Sequence, residues 1–568
     1  MIKNLLKVEA LSLVAFASFT SCSDEQQFTD FNTNAKKIDV QVLNDQLAKV
    51  RDYVPLYAVI AHRGSTYWTP EETESSWRWA RDMGADYLES DLQCTKDGVV
   101  LSLHDDNLKR TTNIQSVFSD QIPEIRKAFY RTLTWEDGTP CNFSEEDIET
   151  CYQAELTDYY SYYPRNYYYA ELLMLDAGSW FNEDNLETAR DAFGQKGDGK
   201  YDAYEKTLES FKNGKGVVYS KGQYISALAD QIAYAEGKML KRDAEGRRVL
   251  PYHVKDEYKG KTLKEIYAAS VPQTVEGVEY THQGRYHDFI VYDFDNAYVA
   301  DPQDTGNRPG IYIEFKESWA QPKNIEARVY NELARWGWNI CTKDCTGQPF
   351  YLNGKVNVGR TNGKVILQTF SFDSVERVFN GFKGRVPMCY LLWTSDTAYA
   401  TDIKYDTPEG VADFIKYMQD KGCHIIGPAI SGAPNNYPEM NSPWQAYMVR
   451  KSGMLNHPYS FDSQAQITKH MGLWVNIWDT NPTEFDDLMR ITIPKTDYSD
   501  GGTWDIYMDG CFTNRTEMNL TYMIDHGMRC NKALPNPFHA GQTFDNSQAP
   551  SVVPDPNDLL NKLGYPRK

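Results

Sequence analysis

The strongest constraint on the fold is a regular alternation of short apolar segments with amphipathic segments along most of the chain. Apolar runs bounded by turns predict strands, and amphipathic stretches between them predict helices, which is the pattern of a parallel α/β fold. Eight strands are predicted, at 58–61, 87–93, 311–315, 365–370, 388–393, 424–430, 472–478 and 510–513. Helices are predicted at 75–83, 224–236, 324–336, 373–379, 407–420, 463–470 and 482–489. Eight β/α units predict an α/β fold of the (β/α)8 TIM-barrel type.

Two intervals are too long to be simple loops. Residues 106–223 separate the second strand from its helix, and residues 238–308 precede the third strand. We interpret both as insertions in one barrel domain at 51–535, followed by a C-terminal tail at 536–568. The chain has 568 residues, and TIM barrels with insertions extend well beyond ordinary domain size. A tyrosine cluster at 159–169 in the first insertion predicts either a sugar- or choline-binding platform or a buried interface with the barrel.

The N-terminal residues predict export and lipidation. Lys3 and Lys7 precede an apolar stretch at 10–19 that is too short to span a bilayer and is followed by Cys22. This arrangement resembles a lipoprotein signal peptide at 1–21, with Cys22 as the lipidated residue and 22–50 as a tether. We therefore expect a membrane partner through the lipid anchor and a location in the cell envelope, at the outer membrane. Acidic residues after Cys22 resemble a surface-export signal; an ordinary polar tether is the alternative.

The charge balance limits the classes of partner. The chain carries 59 Lys and Arg against 79 Asp and Glu, a net charge of −20. Such a surface repels phosphate polymers, so we expect no nucleic-acid partner. A small phosphate ester can still bind in a local basic pocket.

Ten cysteines are present, and nine remain if Cys22 carries lipid. An odd number leaves at least one thiol unpaired within the chain. Cys341 with Cys345 and Cys141 with Cys151 are close enough in sequence to form disulfides in an oxidising envelope.

Charged side chains lie where predicted strands end. Barrel enzymes place their active sites at the carboxyl ends of the strands, and residues two apart on a strand face the same side. The residues that follow this pattern are His62 and Arg63, Glu89 and Asp91, His104 with Asp105, and Glu314 with Lys316. Each alone has a structural alternative: a solvated strand face, a structural histidine or a surface ion pair. Together they predict a site that combines carboxylates, imidazoles and cations.

The order and spacing of these residues resemble the glycerophosphodiester phosphodiesterase family. The matching motifs are His62-Arg63-Gly64, Pro70-Glu71, Thr73, Gly84-Ala85-Asp86, Glu89, Asp91, Thr95 to Gly98, His104-Asp105 and Arg110-Thr111-Thr112. Looser matches at 175–181, 312–316, 365–373, 472–481 and 508–515 extend the resemblance over roughly residues 55–535.

The resemblance implies an eight-stranded barrel enzyme, a phosphoric diester hydrolase that releases glycerol 3-phosphate and an alcohol. It implies that Glu89, Asp91 and Glu314 bind one divalent cation. All-carboxylate ligation favours Ca²⁺ or Mg²⁺. Arg63 and Lys316 would bind the phosphate of a small-molecule phosphodiester. His62 and His104 would be the catalytic acid–base pair, with the role of each left open.

The chain departs from the family pattern at several positions. An asparagine is replaced by Glu72, which we expect to add negative charge, a threonine by Asp479 and a final aspartate by Asn514. Trp478 ends a predicted strand and is expected either to stack on the alcohol or to pack in the core. The large insertions leave two alternatives open: the same chemistry on a phosphoglycan, phosphoinositol or phospholipid, or a surface binding lipoprotein with vestigial catalysis.

Overall fold

The structure, a computed structural model, describes most of the chain outside its N-terminus and several internal segments. The described residues are 38–120, 122, 125–157, 159–182, 222–269, 274–275, 278–279, 287–316, 325–393, 404–470, 473–474, 494–495, 508–529 and 533–565.

The central sheet has eight parallel strands, in which neighbours in the chain are neighbours in the sheet, and a ninth strand, Val100–Ser102, which pairs antiparallel with Leu92–Cys94. The parallel strands are β1 (Ala58–Ala61), β2 (Tyr87–Cys94), β3 (Gly310–Phe315), β4 (Val365–Thr369), β5 (Met388–Leu392), β6 (Ile425–Pro428), β7 (Leu455–Asn456) and β8 (Gly510–Thr513). β1 also pairs with β8, from Ala58 opposite Gly510 to Ala61 opposite Thr513. Backbone hydrogen bonds from Asp509 N to Asn456 O (2.7 Å) and from Phe512 N to Pro458 O (3.1 Å) bring β7 beside β8. The ring is therefore nearly closed, and the predicted TIM-barrel class is confirmed.

The seventh strand is not where the sequence predicts it. We expected 472–478, but β7 is Leu455–Asn456. Leu473–Trp474 instead pairs antiparallel with Pro494–Lys495, outside the barrel sheet.

Buried polar residues explain why the sequence does not predict β7. The segment around β7 contains Asn456 and His457, which break the apolar pattern, yet both are buried. Asn456 donates its backbone N–H to Asp509 Oδ2 (2.9 Å) and its side-chain amide to Asn441 Oδ1 (2.8 Å). Buried polar groups with partners are compatible with a core strand, but no hydrophobic periodicity reveals them.

Helices cover the outside of the barrel and fill the insertions. They are α1 (Asp45–Arg51), α2 (Glu74–Met83), α3 (Ile114–Val117), α4 (Ile125–Thr132), α5 (Glu145–Leu156), α6 (Tyr169–Leu172), α7 (Leu228–Ala235), α8 (Leu263–Ala268), α9 (Ile325–Arg335), α10 (Phe372–Gly381), α11 (Pro408–Asp420), α12 (Pro443–Lys451), α13 (Gln464–His470), α14 (Thr516–Asp525) and α15 (Pro556–Lys562). Six predicted helices are present as α2, α7, α9, α10, α11 and α13. The helix predicted at 482–489 lies outside the described residues.

The described part of the first insertion packs onto the barrel: the Tyr169 backbone N–H donates to Oδ1 of Asp97, just after β2, at 3.1 Å. Tyr167, Tyr168 and Tyr169 are fully buried, which favours the interface interpretation of the tyrosine cluster. The Tyr168 hydroxyl lies 2.9 Å from that of Tyr130 and 2.6 Å from His287 Nδ1. The domain boundaries assigned from sequence stay a prediction.

A buried aspartate fastens the second insertion to the first barrel helix. Asp301 accepts hydrogen bonds from Arg78 (2.7 and 2.8 Å) and from Arg81 (2.6 Å), both on α2. Charge-assisted pairs of this kind fix geometry as well as adding energy.

The C-terminal tail is folded against the barrel. α15 packs on α2, with Leu559, Leu560 and Leu563 buried, and Arg78 donates to the Tyr565 hydroxyl at 2.9 Å.

Two further expectations meet the structure here. The eight cysteines in the described part of the chain are free thiols, so neither candidate disulfide is formed. None of the helices in that part combines the length and apolar character that crossing a membrane requires.

Candidate active site

A cavity of about 460 Å³ opens at the carboxyl ends of the barrel strands. One side of it is charged and the other is largely apolar and aromatic. The charged side contains seven predicted site residues: His62, Arg63, Glu89, Asp91, His104, Glu314 and Lys316.

Three carboxylates form the floor of the charged side. Glu89 and Asp91 are two apart on β2, and Glu314 lies opposite Asp91 in the register of β3. All three are at least 95% buried, and an oxygen from each lies within 4.8 Å of the others. The period-2 geometry of a strand therefore produces the convergence that the sequence predicts.

Burial and mutual repulsion make it unfavourable for all three carboxylates to be ionised unless positive charge lies nearby. Burial, together with the charge of Asp91, raises the pKa of Glu89 well above its usual value. Burial also raises the pKa of Glu314, to about 8. Asp91 behaves differently: burial opposes its ionisation, but Lys316, His104 and Arg63 outweigh burial and hold its pKa well below the usual range.

Two cations lie against the carboxylates. Lys316 Nζ is 3.1 Å from Asp91 Oδ1 and 3.0 Å from Glu314 Oε1. Arg63 Nε is 3.3 Å from Asp91 Oδ2, and the Arg63 backbone N–H donates to Glu89 Oε2 at 2.8 Å. Gln368, at the end of β4, donates to the other Glu89 oxygen at 2.8 Å.

The donor set fits a hard divalent cation. It offers carboxylate oxygens from three residues, which Ca²⁺ and Mg²⁺ prefer over nitrogen or sulfur. Burial raises the pKa of Glu89 and of Glu314, and a bound divalent ion would oppose this effect by favouring the ionised carboxylates.

The first histidine is held by the last barrel strand. His62 directly follows β1, and its Nδ1 lies 2.8 Å from Oδ1 of Asn514, the residue after β8. Burial, and next the charge of Arg63, lowers the pKa of His62 to about 4, so the imidazole is neutral at pH 7.

The second histidine is held by a charged network. His104 Nδ1 lies 2.8 Å from Asp105 Oδ1. Arg110 binds Asp105 through Nε (2.8 Å) and Glu71 through both terminal nitrogens (2.8 and 2.7 Å). Burial, then Arg63 and Lys316, lowers the pKa of His104 to about 4.

Comparison with known proteins bears on the segment that contains most of these residues. Residues 62–213 match the Glycerophosphoryl diester phosphodiesterase family. The resemblance to this family is confirmed.

Individual relatives match over short lengths. The chain is 44% identical over 69 residues to the Bacillus subtilis glycerophosphodiester phosphodiesterase, which is 12% of this chain and 24% of that protein. It is 40% identical over 76 residues to the mouse glycerophosphoinositol inositolphosphodiesterase GDPD2, which is 13% of this chain and 14% of the relative. The chain thus matches less than a third of the length of these curated relatives.

Two solved structures of glycerophosphodiester phosphodiesterases are similar to the chain at low sequence identity. The one from Parabacteroides distasonis has a TM-score of 0.35 and 9% identity, covering 83% of this chain and 99% of that one. The one from Agrobacterium tumefaciens has a TM-score of 0.33 and 14% identity, covering 81% and 97%.

One departure from the phosphodiesterase family pattern has less effect than the sequence suggests. Glu72 accepts a hydrogen bond from the Asp91 backbone N–H at 2.7 Å. Burial, with the charges of Asp91 and Glu71, raises the pKa of Glu72 well above its usual value. Burial therefore opposes the negative charge that the sequence leads us to expect at Glu72, and that expectation stays a prediction.

An aromatic wall on the other side of the cavity was not predicted. It consists of Phe370, Trp393, Tyr437 and Tyr459, which follow β4, β5, β6 and β7. The Trp393 ring centroid lies 4.8 Å from that of Tyr437 and 6.4 Å from that of Tyr459. These residues lie on loops, where hydrophobic periodicity does not predict a position in the cavity. Their place in the chain, after the ends of barrel strands, is the sequence signal that could have indicated it.

Three predicted positions lie outside the described residues. They are Trp478, Asp479 and the lipidation candidate Cys22.

Proposed function

We propose that the protein hydrolyses glycerophosphodiesters to glycerol 3-phosphate and an alcohol, with a bound divalent cation. The observation that carries this proposal is the meeting of two histidines, two cations and three carboxylates in one cavity at the strand ends. The family match over residues 62–213 supports it.

Glu89, Asp91 and Glu314 would hold the ion, which would supply positive charge to the phosphate when bound. Its identity, Ca²⁺ or Mg²⁺, belongs to the proposal. The chain itself supplies the other positive charges. Arg63 and Lys316 flank the carboxylates and are placed to bind the nonbridging phosphate oxygens.

The two histidines move the protons. Both imidazoles are neutral at pH 7 and each is anchored through Nδ1, so each has Nε2 left for the substrate. One neutral imidazole takes a proton from the attacking hydroxyl or water through Nε2. The other acts as the acid only as the imidazolium, so it first takes a proton from solvent at Nε2 and then delivers it to the leaving alcohol oxygen.

The aromatic wall would bind the alcohol. It faces the same cavity as the charged side, so a phosphodiester with its phosphate beside Arg63 can place its alcohol against Trp393 and Tyr437. Aromatic faces favour apolar, cationic or ring-shaped groups over a bare glycerol. This favours a bulkier phosphodiester, such as a phosphoinositol or phosphoglycan, as the second candidate substrate class.

The test is product release from glycerophosphodiesters of choline, ethanolamine, inositol and glycerol, with Ca²⁺, with Mg²⁺ and with chelator. His104→Ala is the blank. The matched control is His526→Ala; His526 directly follows α14 and stacks on Tyr522. Metal-dependent glycerol phosphate that disappears only in His104→Ala supports the proposal. Cation binding without product from any ester would favour a larger substrate. If the protein neither binds the cation nor releases product, a binding protein with vestigial catalysis would be favoured.

We also propose that Cys22 is lipidated and anchors the protein in the cell envelope, on the strength of the N-terminal sequence alone. Metabolic labelling with an alkyne fatty acid, followed by membrane fractionation, tests this. Label and membrane association should both be lost in Cys22→Ser, and a labelled Cys22→Ser protein would contradict the proposal.

A further inference from the structure

A buried aspartate stands behind the asparagine that contacts His62. Asp462 is fully buried and lies close after β7, while Asn514 directly follows β8. The two strands are neighbours, so the barrel brings these residues together across 52 positions of sequence.

The Asp462 carboxylate accepts hydrogen bonds from several donors. The Asn514 backbone N–H donates to Oδ1 at 2.6 Å, and the Asn514 side-chain amide donates to Oδ2 at 3.2 Å. Asn435 Nδ2 (2.8 Å) and Ser460 Oγ (2.6 Å) also donate to Oδ2. This set fixes the carboxylate rigidly beside Asn514.

Donor and acceptor chemistry then determines the direction of each bond. A carboxylate only accepts, so Asn514 must turn its NH2 group towards Asp462 and its carbonyl oxygen towards His62. That oxygen also only accepts, so His62 Nδ1 must carry the hydrogen. A neutral imidazole protonated at Nδ1 has its lone pair at Nε2.

We propose that Asp462 and Asn514 are a positioning pair that holds His62 in the Nδ1-protonated tautomer, with the Nε2 lone pair ready to accept a proton. The catalytic consequence rests on the function proposed above, whereas the tautomer does not. The neutral amide link also distinguishes His62 from His104, which contacts the carboxylate of Asp105 directly.

Two readouts test the pair: kcat and KM on an active ester, and long-range ¹H–¹⁵N spectra of the full-length protein labelled at histidine. His62→Gln identifies the His62 signals. Asn514→Leu removes the acceptor, and Asp462→Asn is a nearly isosteric change that keeps the volume if Asn514→Leu folds poorly. Asn557→Leu, at an exposed position of α15, is the matched control, and thermal melts check folding throughout.

In the wild type and in Asn557→Leu we expect His62 protonated at Nδ1. Asn514→Leu should lose that single tautomer and lower kcat by about 10²–10⁴, with KM changed less than about threefold, because tautomer control acts on the chemical step. Asp462→Asn should show a smaller loss of the same kind.

The exchange Asp462→Asn with Asn514→Asp separates positioning from mere packing. It keeps the net charge and restores an oxygen acceptor for His62 Nδ1, so kcat should return to within about tenfold of the wild type. The proposal is overturned if Asn514→Leu keeps the Nδ1-protonated tautomer, or if the exchange is as slow as Asn514→Leu. A wild-type protein that is inactive but has His62 protonated at Nδ1 would refute the proposed function and support the positioning pair. A wild-type protein that is active but has neutral His62 protonated at Nε2 would support the function and refute the pair.

Discussion

Removing Arg110 should destabilise the protein in a pH-dependent way. Glu71, 3% exposed, lies between Arg110 and Arg63. Burial opposes its ionisation, but Arg110 and Arg63 outweigh burial and lower its pKa from 4.5 to about 2. That difference corresponds to about 3 kcal/mol of unfolding free energy at pH 7. Arg110→Met should therefore cost about 3 kcal/mol, since it leaves Glu71 buried with only the longer contact to Arg63.

The sign of the pH dependence follows from the lowered pKa. The contribution of the pair is complete above the unfolded pKa of 4.5 and is lost as the pH falls towards about 2. Urea unfolding at pH 7, 5 and 3, followed by tryptophan fluorescence, measures the free energy of unfolding of the wild type and of Arg110→Met. The matched control is Arg131→Met: the Arg131–Glu145 pair is exposed (47% and 69%), so its loss should change the free energy of unfolding much less than the loss of Arg110. The reasoning is refuted if Arg110→Met costs no more than the control, or if its cost is the same at pH 3 as at pH 7.

Three further changes test other parts of the account. Glu314→Gln should weaken divalent-cation binding about tenfold or more in equilibrium dialysis, because it removes one of three carboxylates; unchanged affinity would exclude Glu314 as a ligand. Trp393→Ala should raise KM about 3- to 10-fold for esters of bulky alcohols and leave the glycerol ester nearly unaffected; an equal effect on both would exclude the wall as an alcohol subsite. Asp301→Asn should lower the urea midpoint by an amount equivalent to about 3–5 kcal/mol, because two buried arginines of α2 lose their shared carboxylate, and a loss below about 1 kcal/mol would contradict that role.

Much of the barrel is predictable because its strands are buried on both faces and stand out as apolar runs. β1, β3 to β6 and β8 follow this rule, whereas β2 places the polar residues Glu89, Ser90, Asp91 and Gln93 among its buried positions. β7 does not, because Asn456 and His457 are polar and their partners come from distant segments such as Asn441 and Asp509. Hydrogen bonds between segments that are distant in the chain cannot be predicted from the local sequence.

The charged side of the site is predictable for a related reason. Residues two apart on one strand face the same way, and strand ends meet at one face of a barrel, so Glu89, Asp91 and Glu314 converge without further information. The supports of the histidines could not be predicted. Asp462 supports His62 through Asn514, and that contact depends on the order of the strands in the barrel.

The most direct test of the proposed hydrolysis is a ³¹P NMR time course of the choline, inositol and glycerol glycerophosphodiesters, each with wild-type protein and Ca²⁺. We expect the diester signal of at least one ester to be converted to that of glycerol 3-phosphate, the conversion to stop when chelator is added, and His104→Ala to convert none. A persistent diester signal across the choline, inositol and glycerol esters, or conversion that survives both chelator and His104→Ala, would contradict it.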